Sequence, residues 1–291
     1  MTSGRAEAIA HGGATIINAM ATGEGAAFGV DLWTKAEVRL TGEPGIIRGE
    51  IASDPKESTI LMEKTVDRVL QRFNAEKRFG ANVKTQSNIP IARGLKSSSV
   101  AANAVALATL GALGEVLDDF DVINLGVDAA FDAKVTVTGA YDDACASYFG
   151  GLVVTDNVKR DIVMRVSLPE GLSVLFHVPS KKAYTTNLDA KRLNTIAPLV
   201  RIAYREAVRA NFWIALSLNG LLYSSALGFD PSVALDALNA GAVAAGLCGK
   251  GPAVTAVVTD ETVDKVKAAL ERHEGRIIQA QFNLEKACVV I

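Results

Sequence analysis

The chain has 291 residues, enough for one large domain or two modest ones with a sizeable buried core. At 49% hydrophobic and 21% charged residues it has the make-up of a compact globular enzyme, which excludes disorder as its dominant state. A net charge of −2, scattered Lys and Arg and few aromatics argue against a nucleic-acid surface.

In chain order, residues 5–11, 14–19 and 33–40 carry β-branched or alternating apolar residues with glycines between them, and read as strands. Residues 46–51 form another short strand, closed by a Ser53-Asp-Pro-Lys turn. Apolar positions at Ile60, Leu61, Val66, Val69, Leu70 and Phe73 place an amphipathic helix over 57–73. Strand returns at 81–87, then comes a serine-rich loop and an alanine-rich helix over 100–117. A helix follows at 121–133, and another starts near Asp142 or Asp143. Strands are expected at 152–155, 162–167 and 173–178. Helices run from about 188 to 240 with a break at Gly228-Phe-Asp-Pro231, and strands at 254–259 and 287–291 enclose a helix over 262–272. Strands mixed irregularly with helices argue for α+β and against a doubly wound sheet.

Three cysteines, Cys145, Cys248 and Cys288, are odd in number and far apart, as expected of reduced thiols in a cytoplasmic protein. Three scattered histidines give no zinc pattern. Residues 1–7 lack a basic-then-apolar leader signature. Polar residues interrupt the apolar stretches 100–117 and 212–227, which fall short of the ~20 apolar residues of a membrane span.

The most informative segment is Ile89-Pro-Ile-Ala-Arg-Gly-Leu-Lys-Ser-Ser-Ser-Val100. Pro90 favours an extended approach, Gly94 allows a turn, Lys96 adds a cation, and three hydroxyls stand where a helix begins. A helix N-terminus presents free N–H groups and a positive dipole end to an anion such as phosphate. The same serines would also suit an ordinary helix cap. Neither a Walker A sequence nor a dinucleotide fingerprint is present, because Gly249-Lys250 precedes Gly251 and the amino-terminal glycines have the wrong spacing.

This segment resembles the second motif of the GHMP kinases (galacto-, homoserine, mevalonate and phosphomevalonate kinases), Pro-x-x-x-Gly-Leu-Gly-Ser-Ser-Ala. Gly139-Ala-Tyr-Asp-Asp-Ala-Cys-Ala-Ser-Tyr-Phe-Gly-Gly151 is similar to that family's aspartate-bearing segment, and Gly246-Leu-Cys-Gly-Lys-Gly-Pro-Ala-Val-Thr-Ala-Val257 to its glycine-rich third motif. Most members have glycine where this chain has Lys96. That lysine, with the segment Ala14–Leu32, looks most like the archaeal-type shikimate kinase branch.

The resemblance implies a two-domain α+β fold. Residues 1–165 would be an ATP-binding domain with a left-handed βαβ crossover, residues 166–291 a ferredoxin-like α+β domain, and the active site would lie between them. It implies ATP and Mg²⁺ as cofactors and a small-molecule acceptor, shikimate phosphorylated on its 3-hydroxyl, with a homoserine or mevalonate-type kinase or a silent nucleotide-binding member as alternatives. A monomer or homodimer is expected, with no membrane partner.

Carried over residue by residue, Pro90, Ile91, Ala92, Arg93, Gly94, Leu95, Lys96, Ser97, Ser98, Ser99 and Val100 form the ATP loop. Ser98 and Asp132 would hold the metal, although Asp132 equally suits a solvated helix end. Asp143 matches the family's catalytic aspartate, Lys96 is the other residue expected to act in catalysis, and Asp142 would orient the substrate or help hold the metal. A base-free mechanism stays open, since some members lack this base. Thr15, Asn18, Asp31, Lys181 and Gly249 are the expected acceptor contacts. Lys182, Arg192, Arg201 and Arg205 are further candidates for a substrate carboxylate, which suits a bidentate arginine.

Overall fold

The computed structural model describes residues 4–91, 93–168, 170–180 and 190–291. Strands β1 (Arg5–Ile17) and β2 (Glu24–Thr41) form a long antiparallel pair. Glycines suggested that this region is cut into shorter pieces, yet β1 runs straight through Gly12 and Gly13. Only a register shift between His11 and Gly12 marks the place. A Cβ on Gly12 would lie 3.1 Å from that of Leu32, so glycine here answers crowding inside a strand and does not end it.

The length of β2 organises the first sheet. Its far half pairs with β4 (Gly80–Ser87) and its near half with β5 (Leu152–Asp156), which in turn pairs with β6 (Asp161–Val166). Strand β3 (Ile47–Ile51) lies parallel to β4, and α1 (Ile60–Arg72) connects them as a βαβ unit. At the other edge, β11 (Cys288–Val289) brings the end of the chain back onto β1.

Helices α2 (Ser97–Leu113), α3 (Asp119–Asp132) and α4 (Tyr141–Phe149) pack with this sheet. Helix α2 is apolar nearly all round, the mark of a helix enclosed by protein. Its small residues permit that enclosure: a Cβ on Gly111 would lie 2.8 Å from the Cβ of Ala6. Burying residues such as Val100, Val105 and Leu110 stabilises the fold by roughly 1.5–3 kcal/mol each.

The second sheet contains β7 (Leu172–Val178), β8 (Ala244–Leu247), β9 (Val254–Thr259) and β10 (Arg276–Gln281) in the antiparallel order β10-β7-β9-β8. Helices α5 (Ala190–Val208), α6 (Phe212–Leu227) and α7 (Ser232–Asn239) precede β8, and α8 (Val263–Leu270) precedes β10. This β-α-β-β-α-β succession is ferredoxin-like. Leu175, Ala245, Val254, Val258, Val266 and Leu270 build a separate core there.

Strands β8 and β10 have no counterpart in the sequence reading. The first is four small or short residues, and the second is mixed in polarity and only partly buried. The helical region also breaks once more than expected, at Ala210, whose φ is +64°. Helix α6 then sits so close to β8 that neither Gly220 nor Gly246 could carry a side chain. Among the described residues, no helix is long and apolar enough to cross a membrane.

Candidate active site

A cleft of about 530 Å³ opens along the helix side of the first sheet. Its walls come from the β1–β2 turn (Asn18, Met20), the β3–α1 segment, the loop before α2, the α3–α4 loop and the turn Gly249–Gly251 after β8. The two glycine-bearing loops meet backbone to backbone. Gly94, at φ +86°, has no room for a Cβ against the carbonyl of Cys248, and a Cβ on Gly249 would lie 3.0 Å from the carbonyl of Gly94. Thr15 Oγ1 accepts from the Gly249 amide (2.9 Å), and Asn18 Nδ2 donates to the Gly249 carbonyl (2.8 Å). Both neighbours thus hold the turn in place. Tyr223 on α6 supports Asn18 by donating to its carbonyl at 2.8 Å.

Two helices begin at this cleft in the same unusual way. Helix α2 starts from Lys96, at φ +65° and ψ +16°, and α4 starts from Ala140, at φ +49° and ψ +47°. Neither helix has a side-chain cap. A left-handed residue carrying a Cβ costs about 1–2 kcal/mol. Combined with the helical residues that follow, it gathers successive N–H groups into an anion-binding concavity. The first intrahelical bond of α2 is Val100 N–H to the Lys96 carbonyl, so the amides of Ser97, Ser98 and Ser99 have no intrahelical partner. Ser97, Ser98 and Ser99 all line the cleft.

The first turn of α4 presents Asp142 and Asp143 to the same space. Lys96 Nζ stands 2.8 Å from Asp143 Oδ1, with 7% and 12% of the two side chains exposed. Burial alone would pull the Lys96 ammonium down, but the charge of Asp143 foremost outweighs it and holds the group above its ordinary value. Asp142 differs. Its Oδ1 accepts from Asn157 Nδ2 (2.7 Å), its amide donates to Asn157 Oδ1 (3.2 Å), and Thr155 Oγ1 donates to that same oxygen (2.7 Å). Burial, then the charge of Asp143, push the Asp142 carboxyl up to about 7. Gly25 makes room for it, since a Cβ there would lie 2.7 Å from the Asp142 carboxyl carbon.

This arrangement joins an amide concavity suited to phosphate with a carboxylate suited to taking a hydroxyl proton, and comparison with known proteins finds relatives of the same kind. The GHMP kinases N terminal domain matches residues 61–151. A shikimate kinase of Methanosarcina acetivorans is 48% identical over 95% of this chain and 93% of its own length. One from Methanosarcina mazei is 46% identical over 95% and 94%.

The chain belongs to the GHMP kinases.

A solved homoserine kinase from Cytophaga hutchinsonii shares the fold, with a TM-score of 0.76 at 18% identity, over 100% of this chain and 98% of the other. Kinases of this family use ATP. In this GHMP kinase the structure brings Lys96, Asp142, Asp143, Asn18, Gly249, Ile91, Gly94 and Ser97 to Ser99 around one cleft. Pro90, Leu95 and Val100 are buried and do not line it. Arg93 donates to the Ser180 carbonyl (2.6 Å) and lines a separate small cavity.

Two expectations are corrected. Asp132 was expected to hold the metal, but both its oxygens accept from Arg68, at 2.6 and 2.9 Å, and it does not line the cleft. The guanidinium holds this carboxyl below the usual carboxylate range. The family's spacing leads to the right helix end but to a carboxylate already committed elsewhere. Asp31 was expected at the acceptor, yet its Oδ1 accepts from the Gln281 amide (2.9 Å), which ties β2 to β10 away from the cleft. Arg192, Arg201 and Arg205 lie on exposed positions of α5 and do not line the cleft. Ala92, Lys181 and Lys182 fall outside the described residues. Asn157 and Gly25, which seat Asp142, were not singled out. Asn157 belongs to no motif, and the sequence carries no signal that the β5–β6 turn holding it pairs with Asp142 on α4.

Proposed function

We propose that this protein transfers the γ-phosphoryl group of Mg·ATP to the 3-hydroxyl of shikimate, giving 3-phosphoshikimate and ADP. The observation that carries the chemistry is the pair of left-handed helix starts at Lys96 and Ala140, which sets an amide concavity beside the Lys96–Asp143 ion pair. The relatives named shikimate kinase, alike over nearly the whole chain, support shikimate as the acceptor.

Phosphoryl transfer asks mainly for positioning and charge compensation. Ser97, Ser98 and Ser99 would receive the phosphates with their amides. Asp143 would accept the proton of the attacking hydroxyl. Lys96 keeps that carboxylate in place. Asp142, held by Asn157, would orient the acceptor. Mg²⁺ binds through one or two carboxylates plus phosphates and water. The donors present fit that habit: Ser98 is exposed, both it and Asp143 line the cleft, and no group of three or more ligating His, Cys, Asp or Glu side chains occurs among the described residues. Magnesium, when bound, offsets charge on the phosphates. On this reading residues 1–165 form the nucleotide-binding domain and 166–291 the second domain, which contributes the Gly249–Gly251 turn and sends its last strand, β11, back to the first sheet.

The test is ADP release from purified protein given ATP, Mg²⁺ and, separately, shikimate, homoserine and mevalonate. Turnover with shikimate alone is expected. Turnover only with another alcohol reassigns the acceptor, and nucleotide binding without turnover removes the enzyme assignment. Ser98→Ala should shift the Mg²⁺ dependence upward, and an unchanged dependence would discharge Ser98 as a metal ligand.

A further inference from the structure

Lys96 is the obvious cation of the serine loop, but Asp143 already neutralises it. An incoming triphosphate adds several negative charges to a cleft whose two aspartates are negative or partly so. Magnesium offsets part of that charge, and a cation of the protein that is not already paired with a carboxylate would add to it. Lys250, in the turn after β8, lines the same cleft. It is only partly exposed and, among the described residues, has no carboxylate within ion-pair distance; its polar contact there is the Val135 carbonyl at 3.4 Å. Lys134 also lines the cleft, but it sits exposed at the rim. The residue before Lys250 is close enough to the Lys96 ammonium that a Cβ on Gly249 would lie 3.2 Å from Nζ. The turn therefore places Lys250 next to the ion pair.

We infer that the Lys250 ammonium binds the terminal phosphoryl group of the bound nucleotide as it passes to the acceptor. The phosphoryl must travel between the α2 amides and Asp143, and Lys250 lines the cleft that holds both. Burial pulls its ammonium below the ordinary lysine value, with Asp143 opposing and Lys96 adding to the effect, so a ligand of opposite charge would relieve an existing penalty. The weak contact with Val135 is readily exchanged for a charge-assisted bond to phosphate. This inference rests on the kinase reading but can be tested without the acceptor.

The experiment compares Lys250→Met with the unaltered protein by titration calorimetry, using MgADP and a non-hydrolysable Mg·ATP analogue. A single charge-assisted bond to the terminal phosphate predicts roughly 10-fold to 100-fold weaker analogue binding with ADP affinity within about twofold. With ATP and shikimate, kcat should fall about 100-fold or more while KM for shikimate stays within a few fold. Lys250→Gln, which keeps a donor for Val135 but no charge, should repeat the analogue-specific loss, and it supplies the readout if the methionine variant is unstable. Equal loss for both nucleotides, or no loss for either, overturns the inference. So does a rise confined to KM for shikimate, which would give the cation to the acceptor carboxylate. If the Lys250 variants show the analogue-specific loss but the unaltered protein does not turn over shikimate, the acceptor assignment fails and the role of Lys250 stands.

Discussion

Helix α3 and the pair α2 and α4 begin in opposite ways. Helix α3 starts from Asp118 in extended backbone, at φ −68°, and the Asp118 carboxylate accepts from the Asp121 amide at 3.0 Å. Its own side chain completes it, and nothing is left for a ligand to do. Helices α2 and α4 start from Lys96 and Ala140 in the left-handed region, with no side-chain cap. Helices α1, α6, α7 and α8 also lack side-chain caps, but each starts from a residue with negative φ. Left-handed backbone therefore distinguishes the two cleft-facing starts, and lack of a cap does not. A strained backbone that turns amides into a cleft is sensible where an anion later fills it.

Removing the carboxylate that the α4 start delivers tests the contrast most severely. Asp143→Asn should lower kcat by about 10²–10⁴-fold, read as ADP release with shikimate, with nucleotide affinity nearly unchanged. The same change leaves the buried Lys96 ammonium without its partner and should cost on the order of 3–5 kcal/mol in urea unfolding. Lys96→Met combined with Asp143→Leu should regain much of that stability and no turnover. Near-normal kcat in Asp143→Asn would place the reaction centre elsewhere and reduce α4 to a structural helix.

Asp142 sharpens the comparison through pH. Its carboxyl is raised to about 7 by burial and the charge of Asp143, so the folded protein holds a proton that the unfolded chain has lost. The associated stability is complete below about pH 4 and is lost as the pH rises toward about 7. Asp142→Asn cannot ionise. Its melting temperature should therefore match or fall below that of the parent near pH ~4 and exceed it near pH ~8. The difference is a few kcal/mol at most, because each tenfold change in proton affinity is worth about 1.4 kcal/mol. A pH-independent difference would show that Asp142 does not titrate in that window.

How far the sequence led differs between these same regions. The α2 start was legible because Gly94, Lys96 and three serines carry their chemistry in consecutive residues. Lys96 even explained itself once its φ was seen: a position at +65° suits the glycine most GHMP kinases have, and here a lysine tolerates it while pairing with Asp143. The two aspartates were legible for the same reason. What surrounds them was not. Asn157 lies fifteen positions from Asp142 in the turn after β5, and only the fold brings that turn to the start of α4. Asp132 and Asp31 were misplaced because a count along the chain cannot show that Arg68 or the Gln281 amide has already claimed a carboxylate. Strand β8 escaped because Ala-Ala-Gly-Leu has no alternation to read, and its identity comes from pairing with β9.

Asn157 offers the next smaller test. Asn157→Ala removes the amide that both donates to Asp142 and accepts from its N–H, and leaves Thr155 Oγ1 without its 2.7 Å acceptor. Buried groups stripped of partners cost about 1–3 kcal/mol. The urea midpoint should fall accordingly, and the pH window of Asp142 should shift with it, because the Asn157 bond opposes the rise of that carboxyl. Loss of stability without movement of the window would confine Asn157 to packing.

The smallest effects come from the helix starts themselves, and their signs are opposite. Asp118→Ala deletes a side-chain cap and should lower stability by about 0.5–2 kcal/mol. Ala140→Gly deletes a Cβ that costs about 1–2 kcal/mol in the left-handed region. The added freedom of glycine in the unfolded chain returns roughly 0.4–1 kcal/mol of that gain. Thermal unfolding should thus show Asp118→Ala below the parent and Ala140→Gly slightly above it. If Ala140→Gly instead destabilised, the left-handed start of α4 would not be strained, and the distinction between helix ends completed by their own side chains and ends shaped for a ligand would rest on α2 alone.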